Sequence, residues 1–332
     1  MPIRIAPYAC VFVVVALVAP WLGAEPLETD RILAYWQGEA HPDATIFYSQ
    51  RVPRVLLALL AGGGLAMVGA AFQVLFRNPL VEPYTIGITG GAAVGAFLTI
   101  AFPSLFLFAW GPFSTTQIFA LVGTGATMAL IFTFARRREG MDIHVLLLAG
   151  VTVSIVCSGV ILLITYFISP YLLAAFYRWM MGSVSVVGYS ELSGLLPLLL
   201  PGLGMLTINA PGLNHMALGQ DVALGHGVDV RRLEVEVFIG GGLISAAVVS
   251  LVGPIGFVGL IVPHMVRRIS GFDQRLVLPA SFLLGGAALC ACDTVARIVI
   301  APTELPVGVI TSVVGGPLFI YLLVRGGRGG GR

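Results

Sequence analysis

Lysine is absent: all 18 basic residues of this 332-residue chain are arginines. A phosphate-binding G-x-x-x-x-G-K-[ST] loop needs its lysine to reach the β/γ-phosphates. A Schiff-base enzyme needs one as its nucleophile. Any ATP-driven step must therefore take place on another polypeptide. Charge of either sign is also scarce, at 10% of residues against 58% hydrophobic, whereas an ordinary soluble domain carries about 25% charge. Such a chain cannot cover a water-facing surface, which excludes a soluble enzyme or binding domain. Its high apolar content excludes intrinsic disorder as well. The four cysteines, Cys10, Cys157, Cys290 and Cys292, lie in apolar runs without a C-x-x-C pair and read as small buried hydrophobes. The five histidines show no metal-ligand spacing.

What is present is a series of long apolar runs. At about 20 residues per crossing, the composition accommodates an all-α polytopic membrane protein of about ten spans with short loops. The spans fall near 5–22, 47–76, 85–101, 115–135, 143–167, 190–207, 233–252, 255–266, 276–299 and 305–324. The first has a basic residue before it and small residues after it, as a cleaved signal would. Its length and the spans that follow favour an uncleaved helix. The aromatic piece 170–181 is too short to cross and reads as an interfacial belt at the outer face. Gly87, Gly91 and Gly95 recur every four residues, a spacing that lets membrane helices approach closely. The whole chain, 1–332, reads as a single transmembrane domain whose longest polar interval beyond residue 50 is 208–230.

Arginine placement orients the spans. With the N-terminus inside, 13 arginines fall inside and 5 outside, and every cluster of two or three lies inside. The outside minority is Arg31, Arg51, Arg54, Arg178 and Arg297. Dropping the short run 255–266 as a span would move Arg267, Arg268 and Arg275 outside. GGGL opens the second span at 62–65 and the seventh at 240–243. An odd number of spans separates the two, as in an inverted repeat.

Ionisable residues within spans are the usual mark of coupled transport. Here Asp293 and Arg297 stand four apart near one end of a helix, and Glu82, Glu191 and Glu304 lie near span ends. No span carries an acid at its centre, which argues against an ion-coupled secondary transporter. No nucleophile–base set argues for a membrane enzyme. The remaining reading is a pore builder with one cytoplasmic loop suited to docking an energising partner.

Specific strings sharpen this reading. They include RVPRVLLALLAGGGLAMVGAAFQVLFRNPLVEPYTIGITGGAAVGAF at 51–97, LLLAGVTVSIVCS at 146–158 and RWMMGSVS at 178–185. LNHMALGQDVALGHGVDVRR at 213–232, GPIGFVGLIVPH at 253–264 and ELPVGVITSVVGGP at 304–317 follow in order. Together they closely resemble the FecCD-type permeases, membrane subunits of binding-protein-dependent ABC importers for iron–siderophores, haem and cobalamin. The resemblance runs from about residue 46 to 324.

The resemblance implies the type II ABC importer permease fold, in a bacterial inner membrane with both termini cytoplasmic. It implies a second copy of the chain, two ATP-binding cassette subunits and one periplasmic binding protein. It implies no nucleic acid, no metal site and no cofactor on this chain, since ATP and Mg²⁺ belong to the partner ATPase. Arg51, Arg54 and Arg297 match the outward arginines that meet glutamates on the binding protein. Leu218, Gly219, Gln220, Ala223, Leu224 and Gly225 match the helices that couple to the ATPase, although the family commonly has an acid where Gln220 stands. Asn78 and Leu80 match a cytoplasmic gate, with Met141 and Asp142 as a second, weaker match. The expected substrate is a ferric chelate, siderophore or haem. Cobalamin is the alternative, and oxyanions of the molybdate type lie further off.

Overall fold

The computed structural model describes residues 2–35, 41–105, 114–137, 140–141, 143–185 and 188–327. Helix α1 (Pro2–Val18) leads into the short helices α2 (Thr29–Ala34) and α3 (Pro42–Ile46). A π-helical turn, Phe47–Arg51, runs directly into α4 (Val52–Leu75). There follow α5 (Ile88–Ala101), α6 (Thr115–Ala135), α7 (Ile143–Thr165), α8 (Pro170–Met180) and α9 (Ser190–Ile208). Next come α10 (Ala210–Ala217), α11 (Gln220–Gly225), α12 (Val230–Val252), α13 (Val258–Ser270), α14 (Gln274–Ile298) and α15 (Val307–Gly327). A two-residue antiparallel pairing, Arg136–Arg137 with Gly140–Met141, links α6 to α7.

Among the described residues, seven segments are long and apolar enough to cross a bilayer: Arg4–Trp21, Pro42–Leu75, α6, α7, α9, α12 and α14. The remaining three expected spans are α5 and α15, whose described apolar stretches are shorter, and α13, with 13 residues.

Helix α4 is the axis of the molecule, with α12 and α14 antiparallel to it. Phe72 stacks on Phe238 at 6.0 Å, and Gly64 lies against Ile244 and Val248, so α12 descends as α4 rises. On the other flank Gly62 faces Gly285, while Arg54 reaches Asp293. Both GGGL strings sit in these buried central helices. A Cβ on Gly69 would collide with the carbonyl oxygen of Gly259, which shows how closely α4 and α13 approach. Gly91 and Gly95 likewise face α6 at Gly123 and Phe119. Without hydrophobic drive between helices in lipid, such close contact supplies the cohesion.

Three expectations change. Helix α5 begins at Ile88, because residues 76–87 are not helical. Pro79 and Pro83 withhold backbone donors there, and Asn78 closes a local turn by accepting the Leu80 N–H at 3.0 Å. This segment does not leave the bundle: Glu82 lies beside Leu65, Val249, Ile255 and Gly259, level with the middle of α4. A buried acid thus stands at mid-span depth, on a re-entrant stretch that a hydropathy reading counts as a loop. Of the aromatic piece, Tyr171 and Tyr177 are exposed, as are Tyr166 and Phe167 just before it, but Phe176 is buried, with its ring 3.9 Å from that of Phe97. Cys10 is exposed, because α1 is a peripheral helix.

Candidate functional site

The sequence-predicted residues gather at two opposite ends of α4, whose 24 residues span about 36 Å. At its N-terminal end a cavity of about 880 Å³ is bordered by Arg51, Arg54 and Arg297 together with Glu25, Glu191 and Glu304. The three arginines come from α4's start and α14's end, which the antiparallel packing brings to one level. None presents a free guanidinium. Arg51 is 7% exposed and donates to the carbonyl oxygens of Pro20 and Trp21 at 3.3 Å and of Glu25 at 2.5 Å. Arg54 grips Asp293 in a bidentate pair, with contacts of 2.9–3.2 Å, and donates to Glu304 Oε2 at 2.7 Å. Arg297 is 4% exposed. It lies 3.2 Å from Asp293 Oδ2 and donates to Thr294 Oγ1 at 3.1 Å. The i,i+4 relationship of Asp293 and Arg297 was legible in the sequence; the stronger partner, Arg54, was not.

At the other end, α10 and α11 form a bent pair joined at Gly219, whose φ of +126° favours glycine. Leu213, Met216 and Ala223 are buried in the main core, while Leu218, Val222 and Leu224 stay exposed, Leu218 at 71%. The segment is therefore anchored on one side and apolar on its free side. Asp221 stands in the first turn of α11. Gln220 starts that helix half-buried, and Gly225 ends it exposed. Asn214 ties α10 to the start of α14 by donating to Asp273 Oδ1 and accepting the Gln274 N–H, each at 2.7 Å. The Asp273 carboxyl is held below the usual carboxylate range, first by this Asn214 bond and then by the Arg275 N–H.

Of the residues expected at a gate, Leu80 is exposed and Asn78 half-buried. Met141 pairs through its backbone with Arg136; Asp142 lies outside the described residues. Between these ends a cavity of about 710 Å³ opens among α5, α7, α13 and α15, with Thr85, Ser154, Ser158 and Ser312 on its wall and Glu82 at its edge. Glu82 Oε1 accepts the Phe257 N–H at 3.3 Å, at the N-terminus of α13, where orphan backbone donors favour an anion.

The pattern of the FecCD transport family matches residues 11–325. The chain belongs to this family. Among its relatives, the hemin transport system permease of Yersinia pestis is 37% identical over 84% of this chain and 83% of its own length. The vitamin B12 import system permease of Serratia proteamaculans is 39% identical over 87% and 84%. The iron(III)-citrate import system permease of Bacillus subtilis is 32% identical over 95% and 92%. A solved structure reported as an inward-facing metal-chelate type ABC transporter superposes with a TM-score of 0.84 at 29% identity. It covers 98% of this chain and all of the other. The chain is thus a multi-pass membrane protein of an ABC permease family whose members are not themselves catalytic. Within this FecCD chain, sequence reasoning missed the grip of Arg54 on Asp293, the depth of Glu82 and the bond from Asn214 to Asp273. Each depends on which helices pack together, for which local pattern carries no signal.

Proposed function

We propose that this chain is the translocating subunit of a binding-protein-dependent ABC importer for a ferric chelate, siderophore or haem. The observation that carries the reading is family membership combined with opposite polarity of the two ends. A charged vestibule closes one end of α4, and an anchored helix pair with an exposed apolar side closes the other. Two copies would enclose the pathway along their common axis, with ten spans each and both termini in the cytoplasm of a bacterial cell. Two ATPase subunits would engage Leu218, Gly219, Gln220, Ala223, Leu224 and Gly225, and closure on ATP would pull this segment. A binding protein would dock over Arg51, Arg54 and Arg297, with charge-assisted pairing giving orientation and faster encounter. Asn78, Leu80, Met141 and Asp142 would narrow the inner mouth.

Cobalamin is the second reading, supported by vitamin B12 permeases among the relatives. Vesicles holding the permease, its ATPase and a loaded binding protein test both. ATP-dependent uptake of a radioiron chelate is expected, and uptake of cobalamin alone selects the second reading. Uptake driven by an ion gradient without ATPase would overturn the importer assignment.

A further inference from the structure

A second cavity, of about 410 Å³, lies between α6, α9 and α12, and all eleven residues that line it are apolar. Its floor is made of small residues, Gly125 and Ala129 on α6 and Gly242 and Ala246 on α12. Leu198, Phe132 and Phe238 form its sides, the two phenylalanine rings stacked at 5.7 Å. Gly242 lets Met128 pass, since a Cβ there would strike the thioether. Gly125 differs: a Cβ on it would meet nothing within 4 Å. From Leu121 to Phe132 the groove follows α6 for about 16 Å, close to the depth of one leaflet of a hydrocarbon core about 30 Å thick.

Arginines gather at one mouth. Phe132 is followed by Arg136 and Arg137 at the end of α6, and Phe238 is preceded by Arg231 and Arg232 at the start of α12. The hairpin that carries Arg136 and Arg137 packs against α12, so both arginine pairs belong to one end. Arg231 is exposed and has no carboxylate partner among the described residues. Arg232 donates to Glu236 at 2.7 Å but is largely exposed. Arg231 stands seven helical positions before Phe238, a rise of about 10 Å, which sets the guanidinium beyond the apolar groove.

We propose that this groove holds one acyl chain of an anionic phospholipid whose phosphate is met by Arg231 at its mouth. The groove's length matches one leaflet, its lining offers nothing to a polar ligand, and the exposed Arg231 at its end complements a phosphodiester. A bound chain would fill the gap between α6 and α12 and wedge the α5–α6 pair against the central helices.

The test uses the purified permease in nanodiscs of phosphatidylcholine carrying a trace of photoactivatable phosphatidylglycerol. Cross-linking is expected on the peptides of Ala129 and Ile239, competed by unlabelled phosphatidylglycerol and not by further phosphatidylcholine. Gly125→Leu fills the groove without backbone strain and should abolish this label while leaving labels on other helices unchanged. Arg231→Gln should lower the preference for phosphatidylglycerol over phosphatidylcholine by roughly fivefold, as expected for one arginine at an anionic surface. Equal competition by the two lipids overturns the proposal. So does undiminished labelling in Gly125→Leu, or capture of a second copy of the chain by a cross-linker placed at position 125.

Discussion

Arg54 and Asp293 form a bidentate ion pair between the first turns of α4 and the last turns of α14, with Nε at 3.0 Å and Nη2 at 2.9 Å from the carboxylate. Asp293 is 1% exposed and also faces Arg297 at 3.2 Å. One buried carboxylate thus serves two arginines that the family resemblance assigns to docking. It locks these two ends of the central helices together.

Removing that carboxylate leaves two guanidinia without their counter-ion. Breaking a buried pair from one side costs about 3–5 kcal/mol. Asp293→Ala is therefore expected to lower the thermal unfolding temperature of the detergent-solubilised subunit sharply. Replacement of Arg54, Asp293 and Arg297 together by apolar residues of similar volume should recover much of the loss. A triple variant no better than the single one would show that the network does not act as a unit.

Glu304 occupies Arg54 Nη1 at 2.7 Å while remaining half in solvent. It competes inside the chain for the group that a binding protein would engage. Exposed pairs of this kind contribute about 0.2–1 kcal/mol. Glu304→Gln should tighten binding-protein affinity by up to roughly fivefold and steepen its dependence on salt. Unchanged affinity and salt response would place Arg54 outside the docking contact.

Close helix approach predicts a contrast between glycines. On α5, a Cβ at Gly95 would collide with the Phe119 carbonyl oxygen, whereas on α6 one at Gly125 meets nothing. Gly95→Ala should destabilise the protein by about 1–3 kcal/mol through overpacking, read as a lower aggregation temperature in detergent. Gly125→Ala should stay within about 0.5 kcal/mol of the parent.

Asp273 ties α10 to α14, and its depressed pKa has a defined consequence. The carboxylate contributes stability above its unfolded value, about 3.9. That contribution is lost as pH falls through the lower folded value. The difference in thermal stability between the parent and Asp273→Asn should be constant near neutrality and vanish in acid. A difference independent of pH would mean that Asn214 recognises shape and not charge.

Much of the architecture was legible because membrane insertion reads local sequence. Long apolar runs matched α6, α7 and α9 nearly residue by residue, and of the three spaced glycines Gly91 and Gly95 marked the α5–α6 contact, while Gly87 precedes the helix and faces Gly150 on α7. The split of 208–230 into two short helices at Gly219 follows from Pro and Gly punctuation. The candidate site was legible only as a set of residues. Arg51 matches an outward arginine by the family resemblance, yet the chain between α1 and α2 folds back and covers it with three carbonyl oxygens. Glu82 seemed to lie at a span end, yet two prolines unwind residues 76–87 and the segment returns to the middle of the bundle.

By itself, the sequence determined the apolar solvent, the long helices and the lack of a P-loop lysine, because apolar content, run length and the absence of lysine are properties of the residues alone. Only the tertiary structure decided which charges meet. Arg54 and Asp293 stand 239 positions apart, and they touch because α4 and α14 run antiparallel with glycines where their backbones cross. No local pattern specifies that register.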